Sequence, residues 1–282
     1  MAKIAPKPGA LRFEPIEIAR LEERRQSHGV AMIADESVPA MGGMLCSGPS
    51  GSWLNRARGI GLGGGVSEDE IDDMVAFYRA RGHPPAVEMC PYVDASLVRG
   101  LQRRGFAITE FLTCWAFGLD DPGLNAAPSL PDGIAMRLVD PLDAGAVEAW
   151  ATLLSDGFND QGSQKHRDDI AAMSTVARQE GVFCVGAFDE EVLVGASAAE
   201  VSRPTGGRAV AGLFSASVCE THQRRGIQAG MILERLRIAQ ARGASVACIE
   251  SKPGIATERN ALRMGFFPAY TKVTVEQHQA LG

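Results

Sequence analysis

Apolar residues in the second half of the chain recur with two periods, one of two residues and one of three to four. Alternating or continuous β-branched runs predict strands, and the wider spacing predicts amphipathic helices. Predicted strands cover 134–139, 182–188, 192–201, 210–218, 245–250 and 270–276. Predicted helices cover 143–158, 164–179, 226–242 and 256–264. This order predicts a domain of the α/β class with a mixed sheet.

The first half of the chain repeats part of this order. Helical periodicity covers 13–33, and the elements that follow are strands at 41–46 and 52–62, a helix at 69–80, a strand at 86–90, a helix at 95–103 and a strand at 107–117. Helices end at Gly82 and Gly105, 23 residues apart, and again at Gly243 and Gly265, 22 residues apart. These matching separations suggest a duplicated fold.

Residues 119–133 separate the two halves. The stretch contains three prolines, two glycines and no periodic apolar pattern, which is typical of a linker. We therefore predict two domains, 1–118 and 134–282, joined by a linker over 119–133.

The turn between strand 210–218 and helix 226–242 carries the clearest chemical signal. It reads Gln-Arg-Arg-Gly from Gln223 to Gly226, at the point where the helix begins. Glycine lets the backbone turn tightly, so that N–H groups and the positive end of the helix dipole converge on one point. Arg224 and Arg225 add positive charge. The turn predicts a phosphate-binding site, although basic glycine turns also occur without a ligand.

This spacing resembles the pyrophosphate loop of the GNAT superfamily of acyl-CoA-dependent N-acyltransferases. The matching residues are Gln223, Gly226 and Gln228, and Gln228 stands where the family more often has Gly or Ala. Residues 259–266, Arg-Asn-Ala-Leu-Arg-Met-Gly-Phe, resemble the family's second signature, a short helix closed by Gly-Phe. The order of elements from 134 onward is also similar to that of the family. The resemblance implies two GNAT-like domains in tandem, strong over 134–276 and degenerate before 119.

The resemblance also implies acetyl-CoA as a co-substrate, with no metal. In the family, backbone N–H groups of the loop hold the diphosphate, and the preceding strand pairs with the pantetheine arm and polarises the thioester carbonyl. Small side chains at the end of the strand suit that close approach, but they also suit a strand packed tightly on a helix. The residues expected to contact acetyl-CoA are Ala216, Ser217, Val218, Gln223, Arg224, Arg225, Gly226, Ile227, Gln228, Ala229 and Asn260.

The general acid and base are harder to assign. Many family members have a Tyr four residues before the Gly of Gly-Phe, and that position is Ala261 here. Tyr270 on the following strand is our candidate acid, although a Tyr at a strand start is also a common packing residue. A base position that several members fill with Glu is Gly212 here, so Glu250 is the candidate base. Deprotonation through solvent is the alternative.

The first half lacks the basic turn. In its place the sequence runs from three glycines at 63–65 into Val66, Ser67 and three acids. Ser67 and Glu70 predict a capping box, and acids at a helix start repel phosphate. The pattern Gly59-x-Gly61-x-x-Gly64 is nominally a dinucleotide fingerprint, but its glycines precede the helix by several residues. We therefore expect this half to lack a CoA site and to act as a lid or partner surface.

Composition excludes several classes of protein. A net charge of −6 and few aromatic residues disfavour a nucleic-acid surface. No apolar stretch is long enough to span a membrane, and the first residues lack the apolar core of a signal peptide. Six scattered cysteines without a paired spacing are typical of buried thiols in a cytoplasmic protein. Whether the chain forms a homodimer is left open.

Three hypotheses follow. The first is an N-acetyltransferase that transfers acetyl from acetyl-CoA to a primary amine of a small molecule or peptide, by direct attack in a ternary complex. The second is a non-catalytic acyl-CoA-binding regulator, suggested by the absent Tyr and Glu. The third is an oxidoreductase on a Rossmann fold, which rests only on the glycine fingerprint and on segments that are typical of a parallel sheet. The sequence does not identify the acceptor or the acyl chain preference.

Overall fold

The computed structural model describes residues 13–120, 124, 132–204 and 207–277. The chain forms two compact units, and each combines several segments. The 14–115 unit contains Glu14–Trp115, Glu250–Glu258 and the chain from Pro268 onward, whereas the 116–249 unit contains Ala116–Ile249 and Arg259–Phe267. The division predicted from the sequence treats each domain as one continuous stretch, so it differs from these units at the C-terminal end. Most of the predicted linker, 119–133, lies outside the described residues.

The 14–115 unit begins with helix α1. In chain order, its elements up to Trp115 are α1 (Pro15–Ala31), β1 (Glu36–Ala40), β2 (Gly43–Ser47), β3 (Ala57–Arg58), α2 (Glu68–Arg79), β4 (Ala86–Met89), α3 (Ala95–Arg103) and most of β5 (Phe106–Gly118). Strand β1 pairs antiparallel with β2, β2 pairs antiparallel with β3, and β3 pairs parallel with β4. The crossover from β3 through α2 to β4 is therefore a parallel β-α-β connection.

The last strand of the chain, β11 (Phe267–Gln277), runs almost entirely in this same unit. It pairs antiparallel with β4, from Val273 opposite Met89 to Glu276 opposite Ala86. Val275 is buried in the hydrophobic core of the unit beside Val87. From Pro268 onward, this strand of the predicted domain 134–282 packs its apolar face on the core of the 14–115 unit.

One predicted strand in the first half is wrong, and one strand was missed. Strand 52–62 is reduced to the two residues of β3, since Gly59 and Gly61 have positive φ angles of 68° and 75° that end the extended run. Strand β1 was not predicted, because its sequence Glu-Ser-Val-Pro-Ala is polar, largely exposed and interrupted by Pro39.

The 116–249 unit contains a sheet of order β10-β9-β8-β7-β6. Its strands are β6 (Ile134–Leu138), β7 (Val182–Asp189), β8 (Val192–Ser202), β9 (Val210–Val218) and the first part of β10 (Val246–Ser251). Its helices are α4 (Ala144–Asp156), α5 (Gln164–Val176), α6 (Ile227–Ala241) and most of α7 (Ala256–Met264). These bounds lie within a few residues of those predicted, so the mixed α/β class and the order of elements are confirmed.

Helices α4 and α6 hold the centre of this sheet through buried polar contacts. The Trp150 indole on α4 donates to the Ser197 carbonyl at 3.2 Å, and Arg235 on α6 donates to the Ala198 carbonyl at 2.8 Å. A hydrophobic cluster of Ile227 and Met231 with Val194 seats the start of α6 on the sheet. In the described parts of the chain, no helix is long and apolar enough to cross a membrane.

Candidate active site

The start of α6 presents an array of backbone N–H groups. Gly226 caps the helix with φ 82°, and Arg224 is also left-handed with φ 63°. The first hydrogen bond of the helix runs from the Gly230 N–H to the Gly226 carbonyl at 3.0 Å. The N–H groups of the first turn precede that ladder. Together with the positive end of the helix dipole, they are oriented as an anion-binding helix start requires.

The loop is fixed to the strand that precedes it. After β9, the Cys219 N–H donates to the Val194 carbonyl at 2.9 Å, and a short 3-10 helix covers Glu220–His222. The Gln223 side chain turns back and donates to the Val218 carbonyl at 3.2 Å. Gln223 therefore closes the loop on β9, and this contact shapes the backbone that an anion would meet.

Two side chains of the loop, His222 and Arg225, contact the carboxylate of Asp189. The His222 Nε2 lies 3.0 Å from Asp189 Oδ2, and the Arg225 Nη1 lies 3.6 Å from the same oxygen. His222 Nδ1 lies 2.8 Å from the Thr221 hydroxyl. His222 is thus held within the loop, and Asp189 orients the partly exposed Arg225 beside the start of α6.

Asn260 and Gln228 meet beside the same helix start. The Asn260 Nδ2 donates to Gln228 Oε1 at 2.7 Å, and Arg263 donates to the Asn260 amide oxygen. Asn260 itself is 8% exposed. The second signature thus packs its Asn on the first turn of α6, which brings together two of the residues expected at the cofactor site.

Strands β9 and β10 pair over only part of β9. Their parallel register runs from Val246 opposite Val210 to Ile249 opposite Leu213. Beyond Leu213, the partners of β9 in the described sheet belong to β8, with Ala216, Ser217 and Val218 opposite Ser197, Ala196 and Gly195. The far edge of this half of β9 therefore offers backbone groups to an extended ligand in the manner of an added strand.

A β-bulge interrupts β9 within the same stretch. Ala198 pairs with Phe214 and Ser197 pairs with Ala216, so Ser215 is the extra residue, and its φ is 42°. A positive φ in a residue other than glycine is uncommon and marks strain held by the surroundings. We did not predict the bulge, because a Ser-Ala-Ser run has no sequence feature that distinguishes it from a regular strand.

Arg235 holds the bulge from the side of α6. Its guanidinium is 0% exposed, and its Nη1 donates to the carbonyls of Ala198 at 2.8 Å and Phe214 at 3.2 Å, which form the strand pair next to the bulge. Burial lowers the pKa of Arg235 to about 9. A buried cation that bonds two sheet carbonyls at an irregular point stabilises that irregularity.

Helices α4 and α5 pack against the side chains of the same stretch. The Ser215 hydroxyl lies 3.7 Å from the Met173 sulfur on α5. Gly157, which ends α4, lies so close to Ser217 that an added Cβ would stand 2.2 Å from the Ser217 hydroxyl oxygen. Next to it, Asp156 accepts from or pairs with His166 Nε2 at 2.8 Å. The end of α4 therefore closes on β9 because residue 157 lacks a side chain.

The candidate acid and base lie in the 14–115 unit. Tyr270 is 6% exposed, and its hydroxyl donates to Glu23 Oε1 at 2.7 Å. Burial raises the pKa of Tyr270 well above its ordinary value. The Glu250 side chain is 16% exposed, pairs with Lys272 at 2.7 Å and accepts from the Gln26 amide at 3.1 Å. Burial raises the pKa of Glu250 as well.

Sequence reasoning missed the partners of these two residues. Glu23, Gln26 and Lys272 converge on Tyr270 and Glu250 from helix α1 and strand β11. The only available sequence signal was two acids within an amphipathic helix, which are usually solvated. Ala261, the position where many family members have Tyr, is 0% exposed, so no side chain there reaches solvent.

Comparison with known proteins identifies the domain. Residues 139–259 match the family model described as an acetyltransferase (GNAT) domain. The fold of the chain is similar to a GCN5-related N-acetyltransferase from Kribbella flavida, with a TM-score of 0.67 and 19% identity over 96% of this chain and 98% of that one. No curated protein sequence matches the chain.

Two further solved structures share the fold. A tandem GNAT protein from the clavulanic acid biosynthesis pathway has a TM-score of 0.58, with 14% identity over 75% of this chain and 70% of its own. A GCN5-related N-acetyltransferase from Sphaerobacter thermophilus has a TM-score of 0.51, with 18% identity over 76% of this chain and 66% of its own. The predicted family is confirmed: the chain carries an N-acetyltransferase domain of the GNAT family, matched over residues 139–259.

Proposed function

We propose that the chain transfers the acetyl group of acetyl-CoA to a primary amine of a small molecule or peptide. The observation that carries this proposal is the combination of an N–H-rich helix start at Gly226 with the unshared edge of β9 directly before it. Such a pair suits an elongated ligand that has a diphosphate at one point and amide groups along its length.

The diphosphate would bind the backbone N–H groups of Arg224, Arg225, Gly226, Ile227, Gln228 and Ala229. Charge-assisted hydrogen bonds from backbone N–H groups to phosphate oxygens are short and strong. Gln223 supports this loop through its bond to the Val218 carbonyl, and Asn260 supports the first turn of α6 through Gln228. The first turn of α6 has no acidic side chain that would repel a phosphate, so these N–H donors suit an anion.

The pantetheine arm would lie along Val218, Ser217 and Ala216. Its amides can exchange hydrogen bonds with the edge of β9 that β10 leaves uncovered beyond Leu213. The bulge at Ser215 rotates the local backbone, and we propose that an N–H beside it polarises the thioester carbonyl as a tetrahedral oxyanion forms. Arg235 would keep that backbone in place.

The chemical step is direct attack of the amine nitrogen on the thioester carbon. A C–N bond forms, the C–S bond breaks, one proton leaves the amine and one proton is needed by the CoA thiolate. We propose Glu250 as the base and Tyr270 as the acid. Glu250 directly follows Ile249, the last residue of β10 that pairs with β9. The Tyr270 hydroxyl donates a hydrogen bond to Glu23, so a proton on Glu23 could restore the one that Tyr270 gives to the thiolate.

A thiol-release assay tests this function. Acetyl-CoA with a panel of primary amines should release free CoA in amounts that depend on both reactants, and Glu250→Gln should lower kcat by about a hundredfold or more. CoA binding without turnover on any amine would instead support the acyl-CoA-binding regulator. The amine acceptor, homodimer formation and cytoplasmic location remain predictions.

A further inference from the structure

Lys272 lies at the centre of a buried charged cluster in the 14–115 unit. The lysine is 0% exposed, and its Nζ lies 2.7 Å from Glu250 Oε1, 3.1 Å from Glu88 Oε2 and 3.5 Å from Glu23 Oε1. Nζ also donates to Gln26 Oε1 at 2.5 Å. One fully buried cation therefore faces three carboxylates.

Glu88 has its own counterions. The Arg58 guanidinium, 1% exposed, donates to Glu88 Oε1 at 2.8 Å, and Arg56 lies 3.5 Å from the same oxygen. Although burial opposes ionisation, Arg58 and Lys272 hold the pKa of Glu88 well below its ordinary value. Glu88 is therefore a carboxylate at neutral pH, and Arg58 and Arg56 balance its charge together with Lys272.

The remaining charged groups near Glu23 are also accounted for. Glu22 accepts two hydrogen bonds from Arg25, at 2.9 and 2.6 Å, so this neighbouring pair is internally neutral. The titratable or charged side chains that face Glu23, Glu250 or their partners are Glu22 and Arg25 of α1, Arg56 and Arg58 at β3, Glu88 and Cys90 at β4, Cys114 of β5, and Tyr270 and Lys272 of β11.

Glu23 and Glu250 are thus left to share Lys272. Glu23 is 0% exposed, and its Oε2 has no hydrogen-bond partner among the described residues. Burying a second carboxylate beside one lysine without a further cation is unfavourable, and a proton is the simplest compensation. In agreement, burial raises the pKa of Glu23 to about 7 against the opposing effect of Lys272, and raises that of Glu250.

We propose that Glu23 and Glu250 form one proton-holding pair bridged by Lys272 and Gln26, and that Glu23 is a positioning residue that sets the pH at which Glu250 accepts the amine proton. This inference rests on the proposed role of Glu250. The acceptor ammonium gives one proton to the Glu250 carboxylate, which releases it to solvent, and the neutral amine attacks. The second proton, lost from nitrogen as the C–N bond forms, balances the proton taken up by the CoA thiolate when the C–S bond breaks.

The geometry assigns each member of the cluster a part. Lys272 and Gln26 both contact Glu250, so they fix its orientation while its partly exposed side chain faces outward. Tyr270 donates to Glu23 and stabilises the Glu23 anion. Glu23 connects the two residues that the sequence singled out separately as acid and base.

A carbon-13 NMR titration of glutamate side-chain carboxyls tests the pair without requiring turnover. In the wild-type protein, we expect one glutamate carboxyl to titrate near neutral pH, as a property of the coupled pair. Glu23→Gln should abolish that titration. The matched control is Glu110→Gln, which changes a half-buried glutamate of the same unit that contacts Arg56 and Lys252 and not Lys272; it should leave the titration in place.

The pH profile of kcat/KM tests the connection to catalysis. Removing the negative charge of Glu23 should move the acidic limb of the profile to lower pH by about one to two units, because a like charge raises the pKa of its neighbour. Glu110→Gln should leave the limb unchanged. A limb that does not move in Glu23→Gln overturns the proposal.

Reciprocity provides a second variant. Glu250→Gln removes the other member, so the remaining Glu23 carboxyl should titrate at lower pH than the pair by a similar amount. If Glu250→Gln retains full turnover, the proposed base is wrong, whereas the NMR titration still reports on the pair. If no glutamate titrates near neutral pH in the wild type, or if the titration persists in Glu23→Gln, the pair itself does not exist.

Discussion

Helices α6 and α2 begin at equivalent points of two β-α-β crossovers, but they treat their first turns in opposite ways. Gly226 starts α6 with a left-handed backbone and no acidic residue in the first turn. Ser67 starts α2, where Glu70 accepts from the Ser67 N–H at 2.9 Å and Glu68 and Asp69 add two more acids. The helix dipole of α2 is thus matched by its own side chains, whereas that of α6 is left for a ligand.

The same contrast extends through the two units. In the 14–115 unit, the buried carboxylates pair with arginine or lysine side chains of the same unit. At the start of α2, the hydrogen bond from the Ser67 backbone lowers the pKa of Glu70. In the 116–249 unit the backbone of the loop and the edge of β9 remain available. The proposed anion site therefore lies at the helix start whose first turn carries no acidic side chain.

Gly226→Asp should give the largest effect, because it places a carboxylate where the diphosphate is expected. We expect CoA affinity to fall by at least about 100-fold, or about 3 kcal/mol, which corresponds to the loss of about two charge-assisted hydrogen bonds. Isothermal titration calorimetry with CoA measures this. The matched control is Gly82→Asp, which has a similar φ of 72° and open space around its Cβ position.

The two aspartate variants carry a similar backbone strain, so they separate strain from anion binding. Gly82→Asp should lower thermal stability without changing CoA affinity. Equal CoA affinity in Gly226→Asp and the wild type would show that the loop has only a structural role and would remove the basis of the comparison.

Glu23→Gln should change the pH dependence of stability. The raised pKa of Glu23, about 7 against an ordinary 4.5, means that the folded state holds a proton more tightly than the unfolded state. Its contribution is fully present below pH 4.5 and is lost as the pH rises to about 7, and it is of the order of 3 kcal/mol. Urea unfolding at a series of pH values should show this decline in the wild type and not in Glu23→Gln.

The control for that series is again Glu110→Gln. Its unfolding free energy should follow the wild-type pH dependence, whatever its absolute stability. A decline of the same size in Glu23→Gln would assign the proton to a different group.

The substitution Tyr270→Phe tests whether the 14–115 unit contributes an acid to the reaction. If Tyr270 protonates the leaving thiolate, turnover should fall by about a hundredfold with little change in the KM for acetyl-CoA. If Tyr270 only packs and orients Glu23, the loss is at most about 1 kcal/mol of stability. Steady-state kinetics together with thermal unfolding distinguishes the two outcomes, and unchanged turnover would reject Tyr270 as the acid.

Ser67→Ala should have the smallest effect. Loss of the N-cap should cost about 1 kcal/mol of stability, since Ser67 accepts from the Glu70 N–H at 3.3 Å. Calorimetry should give one CoA site per chain in both the wild type and the variant, because three acids remain at the start of α2. Two equivalent sites in either protein would contradict the contrast between the helix starts.

Local features could be predicted from the sequence, because neighbouring residues determine them. The turn before α6 and the capping box of α2 each lie within a few consecutive residues, and both were predicted. The bulge at Ser215 depends on Arg235, whose side chain bonds carbonyls of two strands that the sequence does not align. The buried cluster depends on residues far apart in the chain, such as Glu23 and Tyr270 at a separation of 247 positions, and no periodic pattern encodes that separation.

Strand β11 also constrains the order in which the protein can mature on the ribosome. Glu23 and Glu88 are synthesised long before Lys272, which neutralises the cluster only when β11 inserts beside β4. At typical translation rates the delay is roughly 10 to 40 seconds. During that time the sheet of the 14–115 unit lacks the strand beside β4, and Glu23 lacks its contact with Lys272. A ribosome that stalls before β11 would therefore leave the first half of the chain a substrate for chaperones and proteases.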